Sequence, residues 1–366
     1  MSTEPPVPET RVLAVASHVG SFSIALASIN VGNKIAIFAM QSLGCDVAAL
    51  NTVQFSNHTG YKQWKGTRVS AQEITDLYEG LKQSYLDDFD MMLSGYIPGA
   101  EAVEAVGRIA EELKAKAVAD TNKPGGFFWV LDPVMGDNGN LYVAPEVVPA
   151  YKRLIENADL ILPNQFEAEL LSDVKIQDMP TLRHAIEVIH RRYGVPHIII
   201  TSVAIPHPDH PPHSLSVIGS SMTSDRRARP FKIVFPAIDC YFSGTGDMFS
   251  ALMAVRMREQ ATAESNQGLS DKRSWLSGDE VEAEDLPLAR AAEKVLASMN
   301  EVLDKTCRAM RAEVEEARKR IEAEGVGEEE GKRRLHLLQS RAAELRLVRN
   351  LESLRSPTVV CRATRM

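Results

Sequence analysis

Short apolar runs alternate along the chain with longer segments in which apolar side chains recur at helical spacing. In residues 71–83, for example, one face of a helix is predicted to carry Ile74, Leu77, Tyr78 and Leu81. The short runs are apolar at successive positions, which is typical of strands covered on both faces. This alternation predicts the α/β class, with a mostly parallel sheet between layers of helices. Helices are predicted over residues 34–43, 71–83, 100–119 and 182–192, and strands over 11–16, 46–53, 91–94, 127–132, 159–162 and 197–201.

Three segments depart from this alternation. Residues 1–10 are rich in proline and glutamate and are predicted to form a flexible arm before a single domain over 11–366. Residues 259–287 are dominated by Ser, Asp and Glu, which predicts a polar surface insertion or a disordered loop. Residues 288–355 are predicted to form a helical C-terminal segment.

The C-terminal segment begins with a highly charged amphipathic stretch. Met310, Val314, Ala317 and Ile321 recur along it at spacings of 4, 3 and 4, which predicts a long helix with one apolar stripe. A coiled-coil arm that forms a dimer is the alternative. The regular stretch is short for a coiled coil and favours a helix that packs on the sheet.

The composition argues against several classes of protein. The chain has 366 residues and a net charge of −8, which argues against nonspecific binding to nucleic acid or to an acidic membrane surface. The apolar stretch near the start is interrupted by polar residues and lacks a basic cluster, so neither a signal peptide nor a membrane span is expected. The four cysteines are widely scattered, which predicts a reducing compartment and argues against a zinc site or a disulfide framework.

The 244–247 loop, Gly244-Thr245-Gly246-Asp247, directly precedes a long apolar run. This order predicts a loop that opens into a buried helix, where unpaired backbone N–H groups and the helix dipole bind an anion. Asp247 would stand in the first helical turn, beside that anion. The combination suits phosphoryl transfer, because the amides hold the moving phosphate while the carboxylate takes a proton from the attacking hydroxyl. Taken alone, the motif is also typical of an ordinary turn before a helix.

Polar residues stand at the ends of several predicted strands. Ser17, Asp132, Asn164 and Thr201 each follow an apolar run. The carboxyl ends of parallel strands meet at one edge of a sheet, and ligands of such sheets bind there. We therefore expect these residues to share a site with the 244–247 loop.

Several uncommon strings resemble those of the pyridoxal kinases in the ribokinase-like superfamily. The resemblance covers nearly the whole chain, and residues 41–50 resemble eukaryotic members, fungal ones in particular. It implies a ribokinase-like three-layer sandwich that uses ATP to phosphorylate the 5′-hydroxymethyl group of pyridoxal, pyridoxine and pyridoxamine. The strings are Asn51-Thr-Val-Gln-Phe-Ser-Asn-His-Thr-Gly-Tyr61, Trp64-Lys65-Gly66, Ser94-Gly95-Tyr96, Asp132-Pro-Val-Met-Gly-Asp137, Asn164-Gln-Phe-Glu167, Gly244-Thr-Gly-Asp247 and Glu344-Leu-Arg-Leu-Val348.

The resemblance implies a role for individual residues. Asp247 would be the general base, and the anion hole would comprise Gly244, Thr245 and Gly246. The vitamin would contact Ser17, Thr59 and Tyr96. ATP would be bound by Asp132, Asn164, Thr201, Ser202, Gly244 and Tyr142. A divalent cation, Mg²⁺ or Zn²⁺, would be served by Asp137 and Glu167, with a monovalent cation such as K⁺ nearby.

Some of these positions also have a purely structural interpretation. Asp132 and Asp137 flank a tight turn and would cap the strand before it. Glu167 would be a carboxylate at a helix N-terminus, which the helix dipole favours. Ser202 would cap the end of its strand.

The resemblance further implies a homodimer in the cytoplasm, with the nucleus as a second location. The expected partners are the two small-molecule substrates, and no nucleic acid or membrane is expected among them. At Leu162 the sequence departs from the family pattern, which has a Thr there. If that hydroxyl helps to bind the monovalent cation, this chain must use a backbone carbonyl instead or bind the ion less well.

The loop after the first predicted strand departs further from the family pattern. Eleven residues, 20–30, separate Val19 from Val31, where the family pattern has a shorter spacer. This insertion is interpreted as a misplaced exon boundary or an alternative transcript, with a remodelled lid as the alternative. A real insertion is expected to weaken pyridoxal binding, because it lies next to Ser17.

Two other functions stay open at this point. One is a related kinase that acts on hydroxymethylpyrimidine, although the string over residues 55–60 favours pyridoxal. The other is a catalytically impaired binding or regulatory protein, which the insertion suggests. The intact Asp247 argues against this second reading.

Overall fold

The computed structural model describes residues 5–19, 31–58, 61, 63–206 and 208–366. The strands are β1 (Arg11–Val19), β2 (Val31–Gly32), β3 (Asp46–Phe55), β4 (Gly66–Arg68), β5 (Met91–Ser94), β6 (Phe128–Leu131), β7 (Gly136–Asp137), β8 (Asn140–Leu141), β9 (Leu160–Ile161), β10 (His197–Val203), β11 (Ser214–Met222), β12 (Ala228–Pro236) and β13 (Thr364–Arg365). The α-helices are α1 (Asn33–Ser42), α2 (Ala71–Gln83), α3 (Ala100–Thr121), α4 (Val147–Leu154), α5 (Gln165–Ser172), α6 (Met179–Tyr193), α7 (Thr245–Thr262), α8 (Pro287–Glu324), α9 (Glu328–Ala342) and α10 (Leu351–Arg355).

One large sheet runs through the described part of the chain, in the order β13-β12-β11-β10-β9-β6-β5-β1-β3-β4. Its centre, from β10 across to β3, is parallel, and both margins are antiparallel. β2 pairs with the carboxyl end of β1, and β7 and β8 form a separate small hairpin. The parallel centre brings the carboxyl ends of six strands to one edge of the sheet.

Helices cover both faces of this sheet, because successive side chains of a buried strand point to opposite sides. In β1, Val12 and Ala14 join the core shared with α1, α7 and α8. Leu13 and Val15 join the other core, which α2, α3, α4, α5 and α6 complete. The result is a three-layer α/β sandwich, as the alternation of apolar runs predicts.

The polar segment over residues 259–287, predicted to be a surface insertion or a disordered loop, is instead ordered and packed. α7 continues into it as far as Thr262, and short 3₁₀ helices follow. Trp275 is fully buried and stacks on Phe128 of β6, with ring centroids 4.0 Å apart. The Ser274 hydroxyl donates to the buried Asp159 carboxylate over 2.6 Å. A few buried anchors hold this segment, and its average polarity conceals them.

The N-terminal arm predicted over residues 1–10 is shorter than expected. Val7 is buried in the core that contains α1, and Pro5 lies against Gly44. Thr10 is buried, and its carbonyl accepts from the N–H of Asp46 over 2.9 Å. Residues from Pro5 onward therefore belong to the packed domain.

A disulfide joins Cys240 and Cys307, contrary to the expectation from the scattered cysteines. The two residues are 67 positions apart in the sequence, but their Cα atoms are 6.1 Å apart in the fold. The bond ties the loop before α7 to the middle of α8. Cys45 and Cys361 are free. Spacing along the sequence could not reveal the pairing, because only the packing of α8 brings these cysteines together.

The charged C-terminal segment is helical, as predicted. α8 spans 38 residues, with Ala317 buried on the stripe that the spacing indicates. Gly325 ends it in a left-handed conformation, and Gly331 lies inside α9. The first half of α8 packs against α7 in the core, and α9 folds back against its second half. No helix in the described ranges combines the length and the apolar character needed to cross a bilayer.

Candidate active site

A cavity of about 880 Å³ opens at the carboxyl edge of the parallel strands, as expected for a ligand site in such a sheet. All but one of the sequence-predicted site residues line it. Thr59, the exception, lies outside the described residues, as does the insertion over residues 20–30. The predicted residues that line the cavity are Ser17, Tyr96, Asp132, Asp137, Tyr142, Asn164, Glu167, Thr201, Ser202, Gly244, Thr245, Gly246 and Asp247.

The 244–247 loop forms the N-terminus of α7 and faces this cavity. Gly244 has a left-handed backbone, with φ of 82°, and within the described residues no side chain caps the helix. The N–H groups of the first helical turn have no partners within the helix, so they are directed outward. An 18-residue helix adds its dipole to these groups. The arrangement is a binding site for an anion.

The carboxylate of Asp247 is held at this helix end by a backbone donor. The N–H of Gly32 donates to Asp247 Oδ2 over 2.8 Å. Burial raises the pKa of Asp247 to about 6, and the Gly32 N–H limits the rise. At neutral pH the group is therefore ionised, and its basicity suits a general base.

Gly32 itself is a position where only glycine fits. Its φ is 67°, and a Cβ atom there would lie 1.9 Å from the carbonyl oxygen of Ser17. The close approach follows from the pairing of β2 with the end of β1, His18 opposite Gly32. This tight turn of the backbone lets the Gly32 N–H reach Asp247.

Four carboxylates line the cavity, those of Asp132, Asp137, Glu167 and Asp247. Burial raises the pKa of Asp132 well above its usual range, and the charges of Glu167 and Asp247 raise it further. Gly246 lies next to Asp132, because a Cβ on Gly246 would be 3.9 Å from Asp132 Oδ2. Repulsion within this group would be relieved by a cation, so the cavity is suited to an anion that arrives together with its metal.

Glu167 braces two loops of the site. Its carboxylate accepts from the backbone N–H groups of Asn164, Met135 and Gly136, over 2.9, 2.8 and 3.3 Å. The Asn164 side chain completes a capping box at the start of α5 and donates to the Gly136 carbonyl. Burial raises the pKa of Glu167 to about 7 against these hydrogen bonds. The structural interpretation of Glu167 as a helix N-terminal carboxylate is thus correct, and both carboxylate oxygens already have protein partners.

Asp137 differs from Glu167 in being exposed. Within the part of the chain that the structure describes, its oxygens accept from the backbone and side chain of the adjacent Asn138 alone. A carboxylate that is open to solvent beside a phosphate site fits the sparse coordination of Mg²⁺, which keeps several waters and uses phosphate oxygens as ligands. No cluster of three or more potential metal-ligating side chains occurs in the part of the chain that the structure describes. The donor set fits a cation that binds together with a phosphate ligand.

Thr201 and Ser202 line the cavity at an irregularity in β10. The pairing of β10 with β11 shifts register between Ile200 and Val203, and Ser202 adopts a left-handed φ of 54°. Such a conformation is uncommon outside glycine and often marks a functional site. The Thr201 N–H donates to Pro163 O over 3.0 Å, which aligns this bulge with the start of α5. Leu162 is buried at the cavity floor, where it supplies no hydroxyl ligand.

The opposite side of the cavity is aromatic. Phe55 packs on Trp64 with ring centroids 4.4 Å apart, and Tyr96 is half-buried beyond them. The Thr52 hydroxyl donates to the Tyr96 carbonyl over 2.7 Å, which fixes the loop after β5. Ser17 is the polar group on this side that the sequence identified, and it is buried. An apolar wall with a few directed polar groups suits a flat heteroaromatic ligand.

Tyr142 lies at the mouth of the cavity, and 62% of the residue is exposed. Its N–H donates to the Met135 carbonyl, which anchors the backbone of this segment and leaves the ring outside. Tyr241, which the sequence did not suggest, is similarly exposed at the same opening. Both tyrosines are placed to cover a bound ligand.

Sequence reasoning missed several residues of the site. The Gly32 amide and the carboxyl group of Glu344, which accepts from Tyr61, act through contacts that span most of the chain. Glu344 belongs to one of the strings that resemble the family, but the resemblance assigned no role to this residue. Neither Gly32 nor Glu344 is among the residues that line the cavity; the lining residues that were missed include Arg68, Tyr241, Phe242 and Met299.

This chain is similar to several known proteins. Residues 97–267, which include Asp132 and Asp247, match the family model described as phosphomethylpyrimidine kinase. Over 258 residues, 67% of this chain and 76% of the relative, the chain is 36% identical to the pyridoxal kinase of Homo sapiens. Over 365 residues, 97% of this chain and 98% of the relative, it is 30% identical to the pyridoxal kinase of Ovis aries. The solved pyridoxal kinase from Leishmania donovani in complex with ADP and pyridoxamine has a TM-score of 0.74 to this structure at 28% identity, covering 98% of this chain and 100% of that chain.

Proposed function

The chain belongs to the pyridoxal kinase family, and from that premise we propose that it transfers the γ-phosphoryl group of ATP to the 5′-hydroxymethyl group of pyridoxal. The predicted ribokinase-like fold class is confirmed by the superposition on a family member over nearly the whole chain. The observation that carries the proposal is the meeting of the α7 N-terminus, Asp247 and an aromatic wall in one cavity. Together they supply an anion site, a base and a surface for a flat ring, which supports phosphoryl transfer to an alcohol.

Asp247 acts as the general base in this proposal. Ionised above its pKa of about 6, it accepts the proton of the 5′-hydroxyl as that oxygen attacks the γ-phosphorus. The amides of Gly244, Thr245 and Gly246 stabilise the charge on the transferred group, since they are already oriented and need no reorganisation. The Gly32 N–H keeps the carboxylate aimed at the helix end.

The aromatic side of the cavity receives the vitamin ring. Ser17 and Tyr96 supply a hydroxyl and a wall. The resemblance to the family adds Thr59 as a third contact to the vitamin. Phe55 and Trp64 form the apolar surface on which a flat ring packs. We extend the proposal to pyridoxine and pyridoxamine, which carry the same 5′-hydroxymethyl group.

The polar side receives ATP together with a divalent cation. Asn164, Thr201, Ser202 and Asp132 border the phosphate path, and Tyr142 covers it. Mg²⁺, which neutralises phosphate charge when bound, would be held through Asp137 directly and through Glu167 by way of water, since both Glu167 oxygens already accept backbone hydrogen bonds. Zn²⁺ is the alternative divalent cation, and a monovalent cation such as K⁺ would rely on backbone carbonyls near Leu162.

Steady-state phosphorylation of each vitamer tests this function. The purified chain should release ADP in step with pyridoxal, pyridoxine or pyridoxamine, and Asp247→Asn should lower kcat by about 10²–10⁴-fold. Nucleotide binding to Asp247→Asn, measured by calorimetry, should stay close to that of the unmodified chain. Vitamer-independent ADP release as the only activity would refute the proposal.

A hydroxymethylpyrimidine kinase is the second candidate, and the family model matched over residues 97–267 favours it. The two functions differ in the ring that must fit beside Phe55 and Trp64. Hydroxymethylpyrimidine should therefore be assayed beside pyridoxal under the same conditions. A kcat/KM for hydroxymethylpyrimidine that exceeds the value for pyridoxal would assign this second function.

A binding or regulatory role without catalysis stays open only through the insertion over residues 20–30. Deletion of seven of these residues should lower the KM for pyridoxal by up to about 10²-fold if the insertion displaces the pocket wall. An unchanged kinetic profile after the deletion would show that the insertion is harmless. Sequencing of the transcript separates a real insertion from a misplaced exon boundary.

We also propose that the chain forms a homodimer and works in the cytoplasm, with the nucleus as a second location. Both proposals rest on the resemblance to the family. The Cys240–Cys307 disulfide does not fit the reducing compartment expected from the sequence. Thiol counting on protein isolated from its native compartment would decide whether this pair is oxidised there.

A further inference from the structure

Glu344 lies beside the anion-binding loop, although the two are a hundred residues apart in sequence. The Ser243 N–H donates to the Ala343 carbonyl over 3.3 Å, and Ser243 and Glu344 form a parallel β-bridge. Ser243 directly precedes Gly244. The backbone at residues 343–344 therefore supports the strand-like segment from which α7 starts.

The side chain of Glu344 reaches in another direction, toward the aromatic side of the cavity. The Tyr61 hydroxyl donates to Glu344 Oε1 over 2.8 Å. The Tyr61 ring packs edge-on against His58, with centroids 4.6 Å apart, and His58 Nε2 is 3.4 Å from Ser243 Oγ. One carboxylate thus joins the loop after β3 to the segment before α7.

Glu344 is unusual for a charged residue, because only 3% of it is exposed. Its second oxygen, Oε2, is buried and has no hydrogen-bond partner among the described residues. Burial raises the pKa of Glu344 to about 7, which the Tyr61 hydroxyl and the charges of Arg341 and Lys34 counteract. Burial of a carboxyl group with one unpaired oxygen costs folding free energy, so its presence here indicates a functional role.

We propose that Glu344 is a positioning residue that, through Tyr61, fixes the loop after β3 and thereby sets the affinity for the vitamin. The inference rests on the proposed function. His58 and Trp64 of this loop line the cavity, and the loop also contains Thr59. Glu344 does not line the active-site cavity, so its effect on substrate passes through Tyr61.

Kinetics of two variants test the proposal. Tyr61→Phe removes the donor, and Glu344→Ala removes the acceptor, so each should raise the KM for pyridoxal about tenfold. The KM for ATP should stay within about twofold and kcat within about threefold, because the Ser243–Ala343 backbone contact remains. The double variant should be no worse than either single variant, since both remove the same contact.

Rescue separates positioning from simple damage to the fold. Glu344→Gln keeps an acceptor oxygen for the Tyr61 hydroxyl and should bring the pyridoxal KM back to within about threefold of the original. Tyr85→Phe, at a tyrosine that is almost fully exposed, is the matched control and should change nothing. Thermal unfolding and ADP binding confirm that each variant is folded.

The possible outcomes are distinct. A chain that phosphorylates no vitamer refutes the proposed function itself. If the unmodified chain is active, an unchanged pyridoxal KM in Tyr61→Phe overturns the inference about Glu344. Equal losses in the KM for ATP and for pyridoxal, or effects of the two variants that add, overturn it as well.

Discussion

At the scale of single residues, the site depends on carboxylates whose surroundings differ. Asp247 is half-buried and receives one backbone N–H, Glu167 is buried and receives three, and Asp137 is exposed. These environments separate a base, a structural brace and a group open to a cation. The same functional group, a carboxylate, therefore has three roles, and each role leads to a different prediction.

The activity should depend on pH through Asp247. The base works only when deprotonated, and its pKa in the free protein is raised to about 6. We expect kcat/KM for pyridoxal to be constant well above pH 6 and to fall as the pH drops through about 6. A profile measured by ADP release would show this acid limb. The same limb in the residual activity of Asp247→Asn would contradict the assignment.

Asp137→Asn should weaken the binding of the divalent cation without lowering the stability of the fold. Among the described residues, the hydrogen bonds of this carboxylate all come from the adjacent Asn138, so its loss breaks no long-range hydrogen bond within them. The concentration of Mg²⁺ needed for half-maximal rate should rise about tenfold, the effect of losing one charged contact. Glu167→Gln is the comparison, and it should lower the unfolding free energy by about 1–3 kcal/mol because buried N–H groups lose an acceptor. An unchanged Mg²⁺ dependence in Asp137→Asn would exclude Asp137 as the metal residue.

At the scale of elements, the site is the place where the end of β1, the short β2 and the start of α7 touch. The Gly32 N–H and the Asp247 carboxylate join elements that are 215 residues apart. The Cys240–Cys307 bond and the Ser243–Ala343 contact hold the segment before α7 from the other side. The helix end is thus fixed by its neighbours and not by a cap of its own.

Gly32→Ala should damage this junction. The added Cβ would lie 1.9 Å from the Ser17 carbonyl oxygen at a φ of 67°, so the backbone must shift and withdraw its N–H from Asp247. We expect a loss of about 1–3 kcal/mol in unfolding free energy, and an acid limb displaced to higher pH because the Gly32 donor lowers the pKa of Asp247. Gly80→Ala in α2, where among the described residues no atom beyond the helix's own backbone and the two chain neighbours lies within 4 Å of the new Cβ, should instead gain up to about 1 kcal/mol. Equal effects at both glycines would refute the steric argument.

Cys307→Ser should lower stability by removing the link between the loop before α7 and α8. Closing a loop of 67 residues lowers the conformational entropy of the unfolded chain, which stabilises the fold by about 4 kcal/mol. Removal of a native disulfide commonly lowers the free energy of unfolding by about 2–5 kcal/mol. Urea unfolding with and without a reductant measures the effect, and the reduced unmodified chain should behave like Cys307→Ser. Cys361→Ser, at a free cysteine, is the control. A reductant that leaves the midpoint unchanged would show that no disulfide forms in solution.

At the scale of the whole molecule, two helical layers cover one sheet, and the C-terminal region packs against both the sheet margin and the core. β13 pairs with β12 at the sheet margin, and α10 contributes the buried Leu354 to the core with α1 and α7. The Arg256 guanidinium donates to the Leu354 carbonyl over 2.6 Å. The last residues are therefore part of the same core as the first strand, which supports a single packed domain.

The proposed homodimer predicts a mass of twice the 40.3 kDa of one chain. Light scattering coupled to size exclusion, at several concentrations, measures this mass directly. A dimer of ordinary strength should persist at micromolar concentration and dissociate on dilution if its interface is small. A mass of one chain throughout that range would contradict the proposal.

Much of this architecture follows from local patterns in the sequence. Residues 71–83 and 91–94 were predicted with the bounds that α2 and β5 have, because apolar periodicity reports which face of an element is buried. β11 and β12 were missed, since their serines, glycine and charged residues weaken the apolar signal at the antiparallel margin. Trp275 was missed for a related reason, because one buried ring does not change the average polarity of its segment.

The sequence by itself determined the α/β class, the loop that begins α7 and the polar residues at the strand ends. These are local properties, fixed by the residue types within a few positions. The tertiary structure alone decided which of those residues meet, because the strand order sets the neighbours and no local pattern encodes it. The Gly32 amide on Asp247, Tyr61 on Glu344 and the Cys240–Cys307 bond are all of this second kind. Each joins distant segments that become neighbours only when the sheet and its two helical layers are assembled.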